Sequence, residues 1–228
     1  MSTLIQTLID WDTQIFLAIN GCHNEHLDFF MLMFSDRFVW IPFYLSIIYV
    51  MFRSFPWRVN VVCLVVLTLV ITINDQISAS VLRSLVGRLR PANVDNPISP
   101  LVHVVGGYRG GQFGFPSAHS ANCWGLTFTL FYVFRRRLLT GTLAVWAIVT
   151  CWSRMYLGVH YFGDIMAGML LGLITASMVY YVCQRMMHRM TETYKPHHTN
   201  APQMYVPAVV CWAEMLLLLI FSFFFKLR

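Results

Sequence analysis

The stretch SRMYLGVHYFGD, Ser153 to Asp164, places an arginine, a histidine and an aspartate inside otherwise apolar sequence. It joins two apolar runs, 138–155 and 160–183, each long enough to approach a membrane crossing. Ionisable groups at such depth are costly without partners, so Arg154, His160 and Asp164 imply a functional site whose remaining members lie elsewhere in the chain.

Working outward, four more apolar runs cover 38–52, 59–86, 119–134 and 205–225. The 228-residue chain is 57% hydrophobic and 11% charged, with a mean hydropathy of +0.61. Soluble domains carry about a quarter charged residues, so the composition indicates an all-α integral membrane protein with six transmembrane helices. Ahead of them, Leu4, Leu8, Ile15 and Ile19 alternate with Asp10 and Asp12 in a helical pattern. That pattern predicts an amphipathic helix in the interface, within an interfacial segment 1–27. No basic n-region with a cleavage site, internal repeat or low-complexity linker is present, and a single domain, 1–228, is expected without a signal peptide. Cys63, Cys123, Cys151, Cys183 and Cys211 fall in apolar runs and read as core residues rather than a disulfide framework.

The net charge of +6 does not require nucleic acid, and none is expected as a partner. With six crossings, Lys and Arg divide eight and eight between the two sides. Arg83, Arg90 and Arg154 have another use, and setting them aside leaves eight against five. The basic loops FRSFPWR, RRR (Arg135–Arg137) and QRMMHRMTETYK are then cytoplasmic. Both chain ends, the loop 87–117 and the Ser153–Asp164 stretch lie on the outer side, with 87–117 as the outer active-site loop.

Three polar groups belong together. Arg83 and Arg90, in RSLVGRLRP, are seven residues apart and share a face with Gln76 and Ser80 if the helix continues to the boundary set by Pro91. PSAHS (Pro116–Ser120) opens the next helix, with Ser117 as cap and free N–H groups directed outward as an anion site. His160 and Asp164 are four apart on one face, so the carboxylate can accept from one ring nitrogen and leave the other free to react. Three arginines, a capped helix N-terminus and two histidines, His119 and His160, suit phosphoryl transfer. No carboxylate pair for Mg²⁺ and no histidine set for zinc is seen, so the expected chemistry uses no metal or other cofactor.

The motifs R-x6-RP, PSAH and SR-x5-H-x3-D, in this order, resemble those of the type 2 phosphatidic acid phosphatase superfamily of integral membrane lipid phosphatases. The resemblance covers 83–164 closely. It implies that His160 attacks phosphorus to form a phosphohistidine, that Asp164 orients it, and that His119 protonates the leaving oxygen. Arg83, Arg90, Arg154, Ser117 and the Ala118 N–H would bind the phosphate. Two departures stand out: Arg83 occupies a position usually lysine, and Ala118 one usually glycine. Arg83 keeps the charge of a lysine, but its longer, forked side chain alters the headgroup fit. At a helix start Ala118 needs no positive φ, so activity should survive.

The expected function is removal of phosphate from a membrane lipid phosphate or diphosphate at the outer face of a bacterial inner membrane. Compact size and the absence of targeting segments suggest the bacterial setting. Undecaprenyl diphosphate or lipid A is favoured, ahead of phosphatidylglycerophosphate or phosphatidic acid. Transfer to another lipid, or headgroup binding and transport without turnover, are the alternatives. The glycine-rich GGYRGGQFGF, residues 106–115, is no P-loop and reads as a flexible flap, with Arg109 and Tyr108 near the headgroup. His188, His197 and His198 read as solvated, LLLLIFSFFF as lipid-facing, and Asn74 and Asp75 as partners of a neighbouring helix. The motifs do not encode oligomeric state.

Overall fold

Each of the six apolar runs folds as a helix, preceded by two further helices. The computed structural model describes residues 3–190 and 202–225. Helices α1 (Thr3–Gly21) and α2 (Glu25–Phe34) lead into α3 (Ile41–Ser54). Helix α4 (Trp57–Asp75) continues through a π-helical segment, Gln76–Leu82, into the single turn α5 (Arg83–Val86). Then come α6 (Ala118–Phe134), α7 (Arg137–Tyr156), α8 (Phe162–Met190) and α9 (Val206–Phe224). Among the described residues there is no β-strand, only one isolated antiparallel bridge between Leu89 and Phe113.

Among the described residues, four helical stretches are long and apolar enough to cross a membrane: Trp57–Val86, Arg137–Tyr156, Phe162–Met186 and Val206–Phe224. At about 1.5 Å per residue, the 14 residues of α3 and 17 of α6 extend less far. Local chemistry explains several helix starts. Asn24 caps α2 by accepting from the Leu27 N–H at 2.9 Å, and prolines occupy the first turns of α3 and α9.

Three sequence expectations change. The helix bearing Arg83 does not run on to Pro91; it ends at Val86, where Gly87 takes φ +59°. Arg83 and Arg90 therefore share no helical face. Second, α8 passes Cys183 and reaches Met190, so Arg185 and Arg189 belong to its final turns rather than to a loop. His188 falls in that helix, while His197 and His198 lie outside the described residues. Third, α1 is indeed helical with Leu4, Leu8 and Ile15 exposed, but its opposite stripe is docked on protein. Phe16 and Asn20 are buried, and Asp12, one turn earlier, reaches the start of α8.

The central helix is α6, which packs on α4, α7 and α8. Its seam with α8 is the tightest. A Cβ built on Gly168 would strike the Ser117 carbonyl, and one on Gly172 would lie 2.5 Å from the Ala121 carbonyl and 2.9 Å from the Gly125 nitrogen. Small residues four apart let the two backbones approach directly. Across the seam, Ser120 Oγ donates to the Ile165 carbonyl at 2.7 Å and the Ser117 N–H to that of Asp164 at 3.0 Å. On the other side, Asn74 donates to the Ala121 carbonyl at 2.9 Å, and Asn122 to Asp75 at 2.8 Å. The helix partnership expected for Asn74 and Asp75 is thus present. The six cysteines are all free, five of them buried.

Substitution of Gly172 by leucine should force the seam apart. Overpacking of this kind costs about 1–3 kcal/mol, read as a lower melting temperature in detergent. Gly141→Ala, where an added Cβ meets nothing within 4 Å, should melt at or above the parent temperature.

Candidate active site

All three motifs meet at one end of the bundle. Ser117 precedes α6 in an extended conformation, and its Oγ accepts from the Ser120 N–H at 3.4 Å. The Ala118 and His119 N–H groups belong to the first turn, where no intrahelical acceptor is available. Ala118 lies in the helix and not at positive φ, so alanine for glycine brings no backbone strain.

His160 is 1% exposed, in the short connection between α7 and α8. Its Nε2 is 3.5 Å from the Arg90 guanidinium, while its Nδ1 faces the Asp164 carboxylate at 3.6 Å. The latter is longer than the hydrogen bond expected from sequence, and Nδ1 has no hydrogen-bond partner. The carboxylate is held by other donors: the Tyr161 N–H at 2.9 Å and Arg88 at 2.9 Å. Burial, then Arg90, Arg154 and Arg83, hold the His160 imidazole well below its ordinary pKa of 6.5. The ring is therefore neutral at pH 7.

The cations converge although their elements differ. Arg90 is buried in the 87–117 loop, donating to the Phe113 carbonyl at 3.1 Å and the Val159 carbonyl at 3.3 Å. Burial, followed by Arg154 and Arg83, lowers its pKa to about 10. Arg154 donates to Ser35 Oγ and, at 3.1 Å, to the Tyr108 hydroxyl. Burial raises the Tyr108 pKa, but the charge and hydrogen bond of Arg154, together with the charge of Arg90, outweigh it and leave the hydroxyl below its usual range. His119 lies within electrostatic reach of Arg154, His160 and Arg90.

Within the glycine-rich stretch residues 106–112 are exposed, but Gly110 and Gly114 press on the site. A Cβ on Gly110 would lie 2.8 Å from the Arg90 guanidinium; one on Gly114 would lie 3.2 Å from both Arg90 and the Asp164 carboxylate. Glycines here let the backbone wrap the buried arginine. Arg109 is turned to its own loop, donating to the Ala92 carbonyl at 2.6 Å and Ser99 at 3.2 Å. Asn20 pins the same loop from α1, donating to the His103 carbonyl at 3.0 Å and accepting from the His103 N–H at 2.8 Å.

Sequence reasoning overlooked Arg88 and Asp12. Arg88 bridges Asp164 at 2.9 Å and Asp12 at 2.6 Å, with its guanidinium 3.9 Å from the Tyr161 ring centroid. Asp12 also accepts from the Gly163 N–H at 2.7 Å. A third cation within the R-x6-RP segment was the available signal; the α1 partner had none. Ser35, beside Arg154, and Arg37, a cation close enough to act on His119, were likewise missed.

Guanidinium groups gathered around a buried neutral imidazole, at the end of a helical membrane bundle, define a site for a phosphorylated membrane component. Residues 60–187 match the PAP2 superfamily model, and the chain belongs to that superfamily. It is 43% identical over 187 residues to a lipid A 4'-phosphatase of Bacteroides thetaiotaomicron, covering 82% of this chain and 83% of the relative. A second lipid A 4'-phosphatase, from Porphyromonas gingivalis, is 30% identical, covering 86% and 83%. Putative undecaprenyl-diphosphatase YbjG of Escherichia coli is 39% identical over 77 residues, 33% of this chain and 38% of the relative. Among solved structures, Aquifex aeolicus LpxE superposes with a TM-score of 0.57 at 20% identity, covering 74% of this chain and 94% of that one. A Bacillus subtilis transmembrane PAP2-type phosphatidylglycerolphosphate phosphatase gives 0.55 at 24%, covering 81% and 88%. These two share the fold. The chain is a multi-pass membrane lipid phosphatase of the PAP2 type.

Arg88→Ala should free the Asp164 carboxylate and lower kcat for phosphate release by roughly tenfold to a hundredfold, the scale of a small misplacement of reacting groups. Asp12→Asn should have a smaller effect in the same direction, and Arg88→Lys should recover part of the loss. A double-mutant cycle on kcat checks that Arg88 and Asp12 act through one another.

Proposed function

We propose that this protein is a lipid A 4'-phosphatase working at the outer face of a bacterial inner membrane, through a phosphohistidine on His160. The observation carrying the mechanism is the convergence of Arg83, Arg90 and Arg154 on that buried imidazole. The 43% identity to a lipid A 4'-phosphatase supports the substrate. The partial match to YbjG supports undecaprenyl diphosphate as a second reading.

The three guanidinium groups and the first N–H groups of α6, with the Ser117 hydroxyl, bind the phosphate oxygens. His160 Nε2 attacks phosphorus while the bond to the lipid oxygen breaks, and His119 gives that oxygen its proton. His119 next takes a proton from water, which attacks the phosphohistidine, breaks the P–N bond and releases inorganic phosphate. Asp164, held by Arg88 and the Tyr161 N–H, fixes the electrostatics on the far side of the ring. The short α3 and α6 complete six crossings with the four long helices, and the basic ends of the bundle face the cytoplasm.

Purified protein should release phosphate from lipid A in excess chelator, His160→Ala should release none, and mass spectrometry of the product should show loss at the 4' position. Faster release from undecaprenyl diphosphate would favour the second reading. Headgroup binding with no release from either lipid would contradict the phosphatase mechanism. Because the His160 pKa lies below 6.5, the ring stays neutral above its depressed value and charges only as pH falls through it. The acid limb of kcat/KM should therefore lie below pH 6.5.

A further inference from the structure

Arg37 is exposed, in the turn between α2 and α3. Ser35, two residues earlier, accepts a hydrogen bond from Arg154, which fixes this turn against a phosphate-binding group. The Arg37 guanidinium lies 5.0 Å from the Phe38 ring centroid and, among the described residues, makes no hydrogen bond or ion pair. The adjacent Asp36 is engaged locally, accepting from the Phe38 N–H at 2.9 Å. A cation so placed has its donors free for a ligand.

Position separates Arg37 from the other arginines. It lines one opening with Ser35, Ala118 and His119, and neither His160 nor Arg90 contributes to that wall. The acid on the same wall, Asp75, is bonded by Asn122 at 2.8 Å. The Arg37 charge acts on the His119 ring, whereas the cations that act on His160 are Arg90, Arg154 and Arg83. Phosphorus is attacked at His160 and the leaving oxygen receives its proton at His119, so Arg37 stands on the leaving-group side.

Resting on the phosphatase reading, the geometry points to Arg37 as a specificity-determining residue that binds a second phosphate, one carried by the part of the lipid that leaves. The guanidinium fork matches phosphate oxygens. Two kinds of lipid offer such a group. In a diphosphate the inner phosphate departs with the electron pair of the broken P–O bond, and a cation there stabilises charge that grows in the transition state, an effect on kcat. In a bisphosphorylated sugar lipid the second phosphate keeps its charge throughout, and the effect falls on KM.

The test measures phosphate release from two matched pairs: a polyprenyl diphosphate beside its monophosphate, and bisphosphorylated lipid A beside lipid A bearing only the 4'-phosphate. The unmodified protein should favour the doubly phosphorylated member of one pair by about tenfold in kcat/KM, the scale of a hydrogen bond to a charged group. The parameter that carries the preference, kcat or KM, identifies the source. Arg37→Gln should abolish the preference, Arg37→Glu should reverse it, and Arg37→Lys should keep part of it. A ratio taken within one protein does not depend on how much of that protein is folded. Equal use within both pairs by the unmodified protein, or a preference unchanged by Arg37→Gln, overturns the inference. If no lipid of the four releases phosphate, yet Arg37→Gln weakens binding of a doubly phosphorylated one, the phosphatase reading falls and the anion site stands.

Discussion

The site depends on the direct backbone contact between α6 and α8. His119 and the capped N-terminus ride on one helix, while His160 and Asp164 precede and open the other. Only because Gly168 and Gly172 carry no side chains can the Ser117 and Ala121 carbonyls lie against α8. Bonds from Ser117 and Ser120 then fix the two helices along their length as well as in spacing. In a bilayer, where no hydrophobic force draws helices together, such close packing is the main source of association.

Charge is the second constraint. Arg90 is buried among other cations, and its lowered pKa, about 10, reflects both burial and their repulsion. An assembly of this kind is stabilised by an anion, which is why it suits phosphate. The negative side is supplied from a distance. Asp164 is completely buried, and Arg88 ties it to Asp12 on α1. The N-terminal helix is thereby part of the site's electrostatics, with its apolar stripe left exposed for the membrane.

Much of this was legible in sequence because membranes simplify the reading. Apolar runs located six helices, and the three motifs at their ends singled out His119, His160, Asp164 and the arginines that the fold brings to one end of the bundle. The errors have physical causes. Pro91 was taken as the helix boundary, whereas Gly87 in the left-handed region ends it sooner. The π-helical segment, which changes the register ahead of Arg83, leaves no mark in residue spacing. Two glycines in 106–115, Gly110 and Gly114, serve close approach to Arg90, a use that composition does not announce. Asp12 is 76 residues from Arg88, a pairing no local pattern announces.

Superfamily membership and the geometry meet at one claim: phosphate passes through the His160 ring. The most direct measurement is to quench the protein in alkali during turnover of a lipid labelled in its phosphate, then map the label by peptide mass spectrometry. The account predicts acid-labile, alkali-stable phosphate on His160 and nowhere else. Label on another residue, or phosphate release with no phosphoprotein formed, would contradict it.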